Sequence, residues 1–221
     1  METVGVLPVD PAWASRPCLK LDLGPGNPRL AGVDHGDPAA FGRWVDSEIE
    51  RAGCRWAAGG WGERRAVYDF SGHFGRGDTA RSLHLGTDLW LSAGTAVRAA
   101  FDATVHSLAN NAVRGDYGPT VILQHPGAPV ACSLYGHLAA RTLDHLTVGQ
   151  SVAAGETIGW LGRPDENLGW PPHLHFQLID DIGEHRGDFP GVCRPDEGDT
   201  WLQRCPDPAR WLPMPAMRRS P

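Results

Sequence analysis

Apolar and polar positions alternate with a period of two from His84 to Leu91. Leu85, Thr87, Leu89 and Leu91 interleave with His84, Gly86, Asp88 and Trp90, as in a strand. The runs Ala96–Ala100, Ala103–Ser107, Thr120–His125, Val130–His137, Ser151–Ala153, Thr157–Leu161 and His173–Ile179 also read as strands. Turns fall between them at Ser92–Thr95, Asp116–Pro119, Val148–Gln150 and Ala154–Glu156. Many short strands separated by glycine turns predict an all-β, largely antiparallel core over residues 80–180.

The flanks read differently. Pro8, Pro11, Pro17, Pro25 and Pro28 forbid long regular structure early, so residues 1–79 are expected as an irregular N-terminal segment packing on the core. One short helix is predicted there. Asp37-Pro38 supplies an N-cap and a first-turn proline, and Ala40, Phe41, Trp44, Val45 and Ile49 recur at helical spacing until Gly53. Residues 181–221, with Pro206, Pro208, Pro213, Pro215 and Pro221, are expected as an irregular C-terminal extension wrapped on the core.

Composition narrows the partners. The 221 residues carry 26 acidic and 20 basic side chains, a formal net charge of -6. That argues against a nucleic-acid partner, which needs a basic face, and against adhesion to anionic membranes. No apolar run approaches the roughly 20 residues of a membrane helix. The N-terminus Met1–Pro8 has neither a basic start nor an apolar stretch. A cytoplasmic location is therefore favoured over export, which stays open. Cys18, Cys54, Cys132, Cys193 and Cys205 form no CxxC pair, so a cysteine zinc site is not expected and reduced thiols are. Nine tryptophans are expected to pack loops against the core. Oligomeric state is not legible.

Three short motifs carry candidate chemistry. In His84-Leu85-Gly86-Thr87-Asp88, positions 84, 86 and 88 share a strand face. A flat strand would hold the outer two roughly 13 Å apart, so they can meet at one ion only if the chain bends at Gly86. In His173-Leu174-His175-Phe176, the two imidazoles sit on one face, about 6.6 Å apart. In Tyr135-Gly136-His137-Leu138, His137 ends an apolar strand, a rigid place to display a side chain. Imidazole and carboxylate donors suit zinc.

Together and in this order, the three motifs resemble the LytM/lysostaphin-type zinc metalloendopeptidases, which carry His-x-x-x-Asp, Tyr-x-His-Leu and His-x-His. Gly94-Thr95-Ala96-Val97, Tyr117-Gly118 with Val121–His125, and the glycine turns from Val148 to Gly162 agree in kind. The resemblance spans residues 80 to 180 and implies that fold for the core. It implies one Zn²⁺ per chain on His84, Asp88 and His175, with His137 and His173 as catalytic histidines, and hydrolysis of a peptide bond by zinc-activated water. The sequence does not divide roles between His137 and His173. Asp116 and Tyr117, on a turn, are candidates for bordering the substrate, and His125 for a structural role. Glu166–Pro172 replaces the family's short Gly/Ser-rich lead-in to the His-x-His strand, which marks a divergent subgroup. The expected partner is a peptide or peptidoglycan-like substrate. Two alternatives remain: a zinc hydrolase of a small intracellular peptide or amide, and a non-catalytic regulatory domain of the same fold.

Overall fold

The computed structural model describes residues 5–68 and 70–219. In chain order the elements are β1 (Cys18–Lys20), α1 (Pro38–Arg51), β2 (Trp56–Gly59), β3 (Leu83–His84), β4 (Thr87–Trp90), β5 (Ala96–Arg98), β6 (Ala103–Asn111), β7 (Gly118–Gln124), β8 (Cys132–Gly136), α2 (Thr142–His145), β9 (Ser151–Val152), β10 (Thr157–Trp160), β11 (His173–Ile179), β12 (Val192–Cys193), α3 (Gly198–Arg204) and β13 (Met217–Arg218). The protein is mostly β, as expected.

Nine strands form one sheet in the order β13-β1-β2-β4-β11-β8-β7-β6-β9. The pairings from β2 through β9 are antiparallel, whereas β1 runs parallel to both β2 and β13. Here the structure departs from the sequence pattern. The leading segment is not wholly irregular, because β1 and β2 extend the core sheet beside β4. Cys18–Lys20 and Trp56–Gly59 are too short for a visible alternation, and the latter is buried at every position. The tail likewise supplies β12 and β13, and α3 is a short helix without an expected counterpart.

The predicted helix forms where its caps lie. The Asp37 side chain accepts the Ala39 N–H at 2.9 Å, and Gly53 takes φ 61°, the left-handed conformation that ends a helix. Phe41 and Val45 bury against an aromatic group comprising Trp90, Trp170, Tyr68 and Phe74.

The central strand β11 is buried along its whole length. One of its faces, with Leu174, Phe176 and Leu178, joins Leu89, Val121, Leu123 and Tyr135 in the main core. The other face carries His173, His175 and Gln177. Beside it lie the Trp90–Trp170 aromatic group and a third cluster around Leu85, Tyr117, Ile122 and Phe189. Among the described residues, no helix is long and apolar enough to cross a membrane.

Candidate metal centre

Strand register sets the site. His175 on β11 lies directly opposite Asp88 on β4 and Gly136 on β8, which puts the imidazole and carboxylate side by side. His84 arrives from a different sheet. The chain bends after Leu85, so that β3 leaves the large sheet and pairs with β12, His84 opposite Val192. The bend falls at Gly86. Its glycine identity is required by contact, not by a left-handed backbone: a Cβ there would lie 2.6 Å from His175 Cε1 and 2.8 Å from the Phe176 carbonyl oxygen.

The three side chains converge. His84 Nε2 lies 2.9 Å from His175 Nδ1, and Asp88 Oδ1 lies 3.4 Å from the first and 3.3 Å from the second. All three are buried. The remaining ring nitrogens are committed to acceptors. His84 Nδ1–H donates to the Gly60 carbonyl at 2.9 Å. His175 Nε2–H donates to Gln177 Oε1 at 2.9 Å. The Gln177 amide is oriented in turn, because its Nε2 donates to the Pro190 carbonyl at 3.0 Å and toward Cys205 Sγ at 3.2 Å.

With the outer nitrogens donating, each imidazole turns its other ring nitrogen inward. Asp88 Oδ1, buried, has no hydrogen-bond donor. Its other oxygen is taken by the Arg65 guanidinium at 2.6 Å. Three inward lone-pair donors with no proton among them fit a cation, and this His–Asp–His group could hold a metal ion.

Electrostatics agree. Burial alone would raise the Asp88 carboxyl, but His84 and Arg65 outweigh it and hold the group well below the carboxylate range. Burial, reinforced by Arg65, lowers His84 to about 4. Asp88 is thus ionised and His84 neutral at pH 7, the states in which both donate to metals.

His137 and His173 stand beside this group. His173 Nδ1–H donates to the Pro171 carbonyl at 2.8 Å, leaving Nε2 as a proton acceptor 4.0 Å from Asp88 Oδ1. Its ring stacks on Trp90 at 4.2 Å. Burial brings it to about 4. His137 follows the end of β8 with φ 61°, a left-handed conformation uncommon outside glycine. Its backbone is held by Tyr117 O and Gly162 N. Its Nδ1 is buried without a partner, and its ring lies 4.3 Å from that of His173. Burial, then His173 and His175, push it well below the usual histidine range.

A cavity of about 140 Å³ opens over these residues. Asp116 and Tyr117 both line it. Tyr117 packs its ring 5.0 Å from that of His175 and donates its hydroxyl to the Phe189 carbonyl at 3.1 Å. The Asp116 carboxylate lies 3.9 Å from His73 Nε2. His125 lies elsewhere, bonded to Ser133 Oγ at 2.7 Å and packed on Phe101. Sequence patterns missed Arg65, Glu63 and Gln177. Gln177 was findable, since it shares the strand face of His173 and His175. Arg65 sits in irregular chain just after the isolated bridge of Arg64 to Leu83, with no periodicity to mark it.

The chain matches the model of Peptidase family M23 over residues 82–186. Among solved structures it is similar to the catalytic domain of the antimicrobial peptidase lysostaphin from Staphylococcus simulans. Identity there is 21% over 70% of this chain and 94% of that one, with a TM-score of 0.43. The catalytic domain of a prophage-encoded M23 protein from Enterococcus faecalis, a point mutant, gives 21% identity over 64% and 89%, with a TM-score of 0.42. A zinc containing peptidase from Vibrio cholerae gives 25% identity and a TM-score of 0.34, over 48% of this chain and only 31% of that longer one. No curated protein sequence matches the chain.

Proposed function

We propose that the protein is a zinc metallopeptidase that hydrolyses a peptide bond, with His84, Asp88 and His175 holding one Zn²⁺. The observation that carries this is the convergence of three proton-free donor atoms, one of them the buried, unpartnered Asp88 Oδ1. Zinc, when bound, supplies Lewis acidity that activates water and polarises a carbonyl. His173, with Nδ1–H anchored on Pro171, accepts a proton at Nε2. His137 offers a second neutral ring beside it to hydrogen-bond the reacting groups, and the proton taken up at His173 Nε2 is the one returned to the leaving amine. Tyr117 and Asp116 border the substrate. Peptidoglycan cross-links are one candidate substrate.

The small size of the cavity favours a second possibility for the substrate, a short free peptide or small amide. The cavity of about 140 Å³ lies below the roughly 300 Å³ at which ligand pockets usually begin, and the five site residues are all buried.

The test pairs metal analysis with turnover on muropeptides, oligoglycine and small amides. His84→Ala should lose stoichiometric zinc and hydrolysis together. His137→Ala should keep zinc and lose about 10²- to 10⁴-fold in turnover. A wild-type protein without stoichiometric zinc, indistinguishable from His84→Ala, would refute the assignment.

A further inference from the structure

Asp88 is gripped from outside the family-matched region. Arg65 Nη1 donates to Asp88 Oδ2 at 2.6 Å, and the two side chains are 4% and 1% exposed. The same guanidinium gives Nε to Glu63 Oε2 at 2.8 Å, and its Nη1 also meets the Tyr68 hydroxyl at 3.1 Å. Glu63 is itself fixed, since its other oxygen accepts the Leu23 N–H at 3.0 Å. The Arg65 backbone N–H donates to Ser82 O at 2.8 Å. The arginine is thus held at its backbone and at its head.

The form of the grip is informative. Arginine and a carboxylate usually pair as two parallel hydrogen bonds. Here the guanidinium is divided: Nε goes to Glu63, and Asp88 receives a bond on one oxygen only. The other, Oδ1, is left buried without a donor, facing His84 and His175. A pair that served only to neutralise Asp88 would have no reason to leave that oxygen bare.

We propose that Arg65 is a positioning residue that restricts Asp88 to presenting a single oxygen to the metal. This rests on the metal site proposed above. A carboxylate with both oxygens free can chelate through both, occupying a position that catalytic sites keep open. By holding Oδ2, Arg65 preserves that position, and it ties residues 63–68 into the site.

The test uses the full chain with Co²⁺ alone as the probe, because its visible absorption weakens as coordination number rises. Arg65→Met should still bind Co²⁺ stoichiometrically, with affinity lowered by no more than about 100-fold, while its visible bands weaken several-fold. Arg65→Lys, which restores one donor, should recover part of the intensity. A folded Arg65→Met with the wild-type spectrum overturns the proposal. So does a folded Arg65→Met that binds no Co²⁺, since Arg65 would then be needed for binding itself. If circular dichroism shows Arg65→Met unfolded, Glu63→Gln decides: weakened bands support the role, and unchanged bands overturn it. A wild-type chain that binds no Co²⁺ removes the metal site and this proposal together, an outcome distinct from the others.

Discussion

His84 Nε2 and His175 Nδ1 face each other across 2.9 Å, and neither holds a proton to bridge the gap. Their protons sit on the opposite ring nitrogens, donated to the Gly60 carbonyl and to Gln177 Oε1. Two lone pairs and the Asp88 oxygen repel one another in a buried space unless a cation lies among them. Stability should therefore depend on metal. Chelation should lower the melting temperature, and zinc should restore it. At a free concentration of 1,000 times Kd the gain is about 4 kcal/mol. Calorimetry with and without chelator checks this, and an unchanged melting temperature would contradict it.

Gly86→Ala should damage the site without touching a proposed ligand. The new Cβ would meet His175 Cε1 at 2.6 Å and the Phe176 carbonyl at 2.8 Å. The Phe176 carbonyl belongs to the central strand, which cannot retreat, so the His175 ring must move. We expect a stability loss of about 1–3 kcal/mol and weaker zinc binding. Titration showing wild-type zinc affinity would mean that His175 tolerates the shift.

Gln177→Met should weaken metal binding by roughly 10- to 100-fold while preserving side-chain bulk. The amide is what holds the proton on His175 Nε2, and the Pro190 carbonyl holds the amide. Chelator competition is the appropriate measurement. Equal affinities in the two proteins would show that the ring keeps its orientation unaided.

Acid should destabilise the fold through His125, away from the site. Burial lowers this histidine to about 4, against 6.5 for an ordinary one. Between those values the unfolded chain binds the proton and the folded one does not, so stability falls as pH drops from 6.5 toward 4. The contribution is on the order of 3 kcal/mol. Denaturant midpoints between pH 4 and 7 should shift less with pH in His125→Gln than in the wild type. Parallel profiles would assign the acid sensitivity to other groups.

Much of the β core was legible because its signals are local. The strand β11 was read at its observed limits, His173–Ile179. The helix from Pro38 was legible from its caps and apolar spacing. The bend at Gly86 was legible too, though as a need for flexibility; the structure adds that the space there belongs to His175. Strands β1 and β2 were not legible. Three or four residues carry too little periodicity, and their pairing partners lie far along the chain.

The sequence by itself determined the strand-rich core and the order of three histidine motifs, because alternation and motif spacing are properties of neighbouring residues. Tertiary structure alone decided which nitrogen of each imidazole faces inward, since Gly60, Gln177 and Pro171 set those tautomers. It alone bound Arg65 to Asp88, a contact between an irregular segment and a strand that only packing brings together. It also lined the cavity with residues from both flanks, because walls are made by segments distant in sequence and adjacent in space.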